Sequence, residues 1–202
     1  MINIDALSLG PMANCTYLLT AGEEALLIDP AWEPDYLIRL LEERSLKLRG
    51  VLFTHGHFDH VKFADKLLHH FGLKAYLEEK DTFLAGLPAA VLQTYAGDQT
   101  LQIGPFNVRI LATPGHTAGG VCIQVEDALF TGDTLFPGAC GRVDLPSSDP
   151  RQMRESLRRL ASLPDQTRVF AGHAYGGRFG STIGEEKTDN PFMRNALRGE
   201  AL

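Results

Sequence analysis

The 202-residue sequence has only three cysteines, Cys15, Cys122 and Cys140, and none is spaced as a CxxC pair. An odd count without a pairing motif argues against a disulfide scaffold and predicts a chain kept in a reducing compartment, the cytoplasm. No lysine or arginine precedes Arg39. A secretory leader needs a basic start and a transit peptide needs arginines, so neither is expected. No apolar run approaches the ~18 residues of a membrane span. Positive charge is in deficit: 19 Lys and Arg against 25 Asp and Glu leave −6, which argues against a nucleic-acid surface. Low-complexity tracts and solenoid-length repeats are missing too. With 44% hydrophobic and 22% charged residues, the whole chain, 1–202, reads as one globular domain.

Short runs rich in β-branched, aromatic and leucine residues predict strands over 15–20, 25–29, 50–54, 74–77, 106–112, 121–125, 128–131 and 168–171. Helical spacing of apolar residues predicts helices over 34–44, 61–71 and 150–163, the last with Asp149 as N-cap and Pro164 as its stop. Strands interleaved with helices predict an α/β (α+β) fold in which two sheets pack together with helices outside. Four of the strands deliver a His or Asp just past their ends: His55 with His57, His116, Asp133 and His173. Rigid strands carrying polar loops at one edge are a common way to build an active site.

The densest signal is His-x-His-x-Asp-His at 55–60. Every named residue type in it is a metal ligand. Alternate positions 55 and 57 can point two imidazoles the same way, and the turn that follows brings Asp59 and His60 alongside. These are too many donors for one tetrahedral ion. Two neighbouring metals use them better, and a carboxylate such as Asp133 can bridge the pair. Imidazole with carboxylate suits zinc, iron or manganese without choosing among them. His69 and His70, near the end of the next helix, are expected to be structural. The cysteines are expected to behave as small apolar residues.

Thr54-His55-Gly56-His57-Phe58-Asp59-His60, Pro114-Gly115-His116-Thr117, Gly132-Asp133 and Gly172-His173 resemble the metallo-β-lactamase superfamily in order and spacing. The likeness begins at Asn14-Cys15-Thr16-Tyr17 and Ile28-Asp29-Pro30. It implies a four-layer αβ/βα sandwich with the site at its edge. It also implies two divalent metal ions, zinc foremost: His55, His57 and His116 on the first, Asp59, His60 and His173 on the second, and Asp133 between them. Asp29 matches the buried carboxylate that orients a ligand imidazole.

Within the superfamily, Gly138-Ala139-Cys140-Gly141-Arg142, Ser181-Thr182-Ile183-Gly184-Glu185-Glu186 and Asn190-Pro191-Phe192-Met193-Arg194 resemble the glyoxalase II group, the hydroxyacylglutathione hydrolases. A short tail, about 181–202, stands where full-length members carry a helical domain. The resemblance implies hydrolysis of a thioester, S-lactoylglutathione or a related conjugate. Two metals lower the pKa of a bridging water toward ~7, so that hydroxide attacks at neutral pH, with Asp59 orienting it. Arg142 and Tyr175 match glutathione-contacting positions, and Arg142 offers a planar fork for a carboxylate. Lys187 and Arg194 could add a second positive contact. The short form is shared with the persulfide dioxygenases, for which the resemblance implies one Fe(II) on His55, His116 and Asp133.

Overall fold

The computed structural model describes residues 2–202. Strands β1 (Asn3–Ser8), β2 (Cys15–Ala21), β3 (Glu24–Ile28), β4 (Lys47–Leu52), β5 (Ala75–Glu78) and β6 (Leu92–Tyr95) form one sheet in that order. The second sheet is built from β7 (Gln99–Ile103), β8 (Phe106–Ala112), β9 (Val121–Val125), β10 (Ala128–Gly132), β13 (Arg168–Ala171) and β14 (Gly180–Thr182). Its order is β14-β13-β10-β9-β8-β7. A small hairpin of β11 (Leu135–Phe136) and β12 (Ala139–Cys140) stands beside it. Helices α1 (Pro34–Glu43) and α3 (Ala64–Phe71) cover the first sheet. Helices α5 (Pro150–Ala161), α6 (Ile183–Asp189) and α7 (Pro191–Arg198) cover the second. The single-turn helices α2 (Phe58–Val61) and α4 (Thr82–Ala85) complete the set of α-helices.

Side-chain alternation explains the four layers. In β3, Leu26 and Ile28 point into the space between the sheets, where they join Phe106, Ile110 and Phe130. Ala25 and Leu27 point the other way, under Leu37 and Leu41 of α1. A strand buried on both faces must be apolar at every position, which is how residues 25–28 read. On the far side, Met153, Leu157 and Leu160 of α5 pack over Leu111, Cys122 and Leu129. Asp149 caps that helix as expected, accepting from the Arg151 and Gln152 amides at 2.7 and 3.2 Å.

Strand direction positions the site. β3 and β4 are parallel, as are β10 and β13, and β8 shares the direction of β10 because β9 lies antiparallel between them. All five therefore end at one edge of the sandwich. The two sheets are tied together there: the Val121 amide donates to the Thr54 carbonyl at 2.9 Å. The Tyr17 hydroxyl donates to the Ala171 carbonyl at 2.5 Å.

Two differences from the sequence reading have physical causes. The six-stranded sheets contain four strands outside the expected set, and these, β1, β6, β7 and β14, are the outermost strands of both sheets. An edge strand such as Gln99–Ile103 alternates exposed and half-buried positions and carries little apolar signal. The helix expected over 61–71 is preceded by α2, so Asp59 and His60 stand on a helical turn. The short tail is itself ordered, since Ile183, Met193 and Ala196 are buried against the α5 side of the second sheet. Among the described residues, no helix is long and apolar enough to cross a membrane.

Candidate metal centre

The strand ends at this edge bring all seven expected ligands together. Three overlapping groups have donor atoms within 4.8 Å of one another: His55, His57 and His116; His55, His60 and Asp133; and Asp59, His60 and His173. Asp133 follows Gly132, whose φ of +49° puts it in the left-handed region. A Cβ at Gly132 would run into the Thr54 side chain. That glycine lets the second sheet close on the first.

Hydrogen bonds decide which ring nitrogen faces inward. His173 Nδ1 donates to the Met12 carbonyl and His116 Nδ1 to the Arg142 carbonyl, both at 2.9 Å. His60 Nδ1 donates to Asp29 Oδ2 at 2.9 Å. The Thr54 hydroxyl donates to the same Asp29 oxygen at 2.6 Å, leaving its lone pair for His55 Nδ1 at 3.1 Å. With Nδ1 held in all four rings, each presents Nε2 to the centre. His57 is reversed, with Nδ1 lying 2.9 Å from His116 Nε2.

The donor set fits metal ions. Two ligands at ~2.1 Å from one tetrahedral ion lie ~3.4 Å apart. The His60 and His173 Nε2 atoms are 3.2 Å apart, and they lie 3.6 and 3.3 Å from Asp59 Oδ2. Asp133 reaches both sides, 3.5 Å from His60 Nε2 and 3.4 Å from each of the His116 and His173 Nε2 atoms. His55 Nε2 and Asp133 Oδ1 are buried with no hydrogen-bond partner in the protein. Buried polar atoms without partners are costly, and cations between these atoms would satisfy them.

Electrostatics agree. Burial, reinforced by His60 and His116, holds the His55 imidazole far below its usual range, hence neutral. For His173 burial works against the charge, but Asp133 and Asp59 override it and push the group up to about 10. Burial would raise Asp133, yet His60 and His173 bring it below the usual carboxylate range. In the absence of metal, protons balance these carboxylates, and metal binding displaces them.

Asp29 lies beside the imidazoles it is expected to orient. Its backbone is left-handed, φ +51°, which Asp tolerates better than most side chains. Oδ1 accepts the Thr54 amide at 2.7 Å, while Oδ2 serves His60 directly and His55 through Thr54. Asp29→Asn would set an NH2 against donors. Metal affinity is expected to fall about 10–100-fold in competition with a chelator, with the fold retained; unchanged affinity would remove Asp29 from this role.

Other expected residues are placed as follows. Tyr175 stacks on the His173 ring at 5.1 Å and is 61% exposed, so it forms a wall of the centre. The Arg142 carbonyl supports His116, but its guanidinium forks onto both oxygens of Asp144 at 2.9 and 3.0 Å. Lys187 is turned to Asp165 at 2.7 Å, and Arg194 is exposed on α7. Neither joins the ligand cluster. His69 bonds the Asp65 carbonyl one turn back, and His70 bonds Glu42 of α1.

Three residues that stand in the quoted motifs without an assigned role also support the site. Asn14 Nδ2 donates to both the backbone carbonyl and Oδ2 of Asp59, at 3.1 and 3.0 Å. Glu186 and Asn190 are buried; they bond the Gly138 amide and the Phe136 and Ala139 carbonyls. The Glu-Glu and Asn-Pro stretches of the tail thus brace the hairpin that leads to Arg142. Gly141 is required because a Cβ there would strike the Asp133 carbonyl.

A four-layer sandwich converging His and Asp donors at one edge is the scaffold of a metal-dependent hydrolase. Residues 9–173 match the model of the metallo-β-lactamase superfamily, and the chain belongs to it. Over 90% of its length it is 37% identical to hydroxyacylglutathione hydrolase GloC of Haemophilus influenzae, covering 93% of that protein. It is similar to the crystal structure of TTHA1623 in a di-iron-bound form, with TM-score 0.81 and 37% identity over 93% of this chain and 99% of that one. ETHE1 from Myxococcus xanthus gives TM-score 0.84 at 30% identity, over 99% of this chain and 92% of that one.

Proposed function

We propose that the protein hydrolyses a thioester, with S-lactoylglutathione or a related hydroxyacylglutathione as substrate. The observation that carries this reading is the pairing of two donor triads, His55–His57–His116 and Asp59–His60–His173, with Asp133 in reach of both. Two divalent ions, zinc foremost, would supply a water acidified to near neutrality and a Lewis acid for the thioester carbonyl. Asp59, anchored by Asn14, orients the attacking water. The leaving thiol has a pKa of ~8.5 and departs as thiolate, so no side chain need protonate it. Cys140 is no rival nucleophile: burial pushes its thiol up to about 11.

Tyr175 and Arg142 are the contacts proposed for the thiol portion, and Lys187 and Arg194 remain secondary. The Arg142–Asp144 pair is solvent-exposed, and exposed pairs are weak, so a substrate carboxylate can take the place of Asp144. The GloC likeness supports the glutathione conjugate.

One observation favours a second reading, Fe(II) dioxygenation of glutathione persulfide on His55, His116 and Asp133. The two unpartnered buried donors, His55 Nε2 and Asp133 Oδ1, both belong to that triad. Metal analysis of protein produced without supplementation, run beside thioester turnover and O₂ uptake, separates the readings. Two metals per chain with thioester turnover is expected. One iron per chain with persulfide-dependent O₂ uptake would overturn the hydrolase.

A further inference from the structure

Asp81 is fully buried, and its side chain hydrogen-bonds Gly56, Thr117 and Gly119. It follows β5, which runs parallel to β4 and ends at the same edge, and it precedes α4. Its Oδ2 accepts from the Gly56 amide at 2.8 Å and from the Thr117 hydroxyl at 2.7 Å. Its Oδ1 accepts from the Gly119 amide at 2.7 Å. Gly56 lies between His55 and His57, and Thr117 follows His116. One carboxylate therefore joins a loop leaving β4 in the first sheet to a loop leaving β8 in the second.

We infer that Asp81 is a positioning residue that clamps these two loops together and so sets the convergence of His55, His57 and His116. This rests on the two-metal reading above. The close fit supports the clamp: a Cβ at Gly56 would run into the Asp81 carbonyl, and one at Gly119 would lie 2.7 Å from Oδ1. The other triad is anchored separately. Asp59 is held by Asn14, His60 by Asp29 and His173 by the Met12 carbonyl. Loosening Asp81 should therefore weaken one metal position and spare the other. A polar group serving only the stability of the core would not discriminate between them.

Two variants test the clamp. Asp81→Asn replaces one oxygen with an NH2 that faces a donor amide. Thr117→Val removes one of the three bonds and leaves the carboxylate in place. The metal-free proteins are titrated with Zn²⁺ alone by calorimetry, and His57→Ala identifies the step belonging to the His55–His57–His116 position. In Asp81→Asn that step should weaken about 10–100-fold while the other is unchanged. In Thr117→Val the same step should weaken about tenfold. Equal weakening of both steps, or no change in either, would overturn the clamp. A single step in the wild type would defeat the two-metal reading instead. The clamp would then be upheld if both variants weaken that step and overturned if they leave it unchanged.

Discussion

Asp133→Ala is expected to cost about a thousandfold or more in turnover and to strip metal from both positions. Asp133 is the carboxylate in reach of both triads, 3.4–3.5 Å from the Nε2 atoms of His60, His116 and His173. Alanine would take the carboxylate away from His116 and leave His60 and His173 with Asp59 alone, so the charge shared between the two positions is lost. Several kcal/mol of charge stabilisation would go with it, and each 1.4 kcal/mol is about a factor of ten. The backbone there does not depend on the side chain, because the Thr134 amide donates to the Thr131 carbonyl at 3.0 Å. Elemental analysis after dialysis, with circular dichroism as the check on folding, reads the outcome. Turnover within tenfold of wild type would remove Asp133 from the centre.

His57→Ala should lower thioester turnover by about a hundredfold or more and reduce metal content from two ions to one. His57 is only half-buried, and its Nδ1 faces His116 Nε2 at 2.9 Å, so its loss opens one corner of a single triad. Under the mononuclear alternative His57 is not a ligand, and the count would stay at one. Metal content is therefore the sharper readout, because a residue outside the coordination sphere can also cost 10–100-fold in activity. A variant holding two metals with near-wild-type turnover would refute the assignment of His57.

Much of the site was legible because its signals are local. An apolar run followed by Gly-His or Gly-Asp marks where a strand stops being buried, and residues 55–60 compress four expected ligands into six positions. Asp29 was marked by the resemblance of Ile28-Asp29-Pro30 to the superfamily, not by a local signal of its own. The outer strands were not legible, since half of each edge strand faces water and loses the apolar alternation that betrays a central one. Asp81 was hidden for a different reason. Its partners lie 25 to 38 residues away, and an aspartate before a short helix carries no mark of what it will bond.

The sequence by itself determined which donors exist, the order in which the strands deliver them, and the central layers of the sandwich. Those depend on residue type and on neighbours within a few positions. Only the tertiary structure decided which nitrogen each imidazole presents. That choice is made by the Met12 and Arg142 carbonyls and by Asp29, which lie 161, 26 and 31 residues from the rings they orient. It also turned the Arg142 guanidinium onto Asp144 while setting the Arg142 carbonyl behind His116. A side chain's identity can be read from one residue; its orientation is set by packed elements that meet only when both sheets have closed.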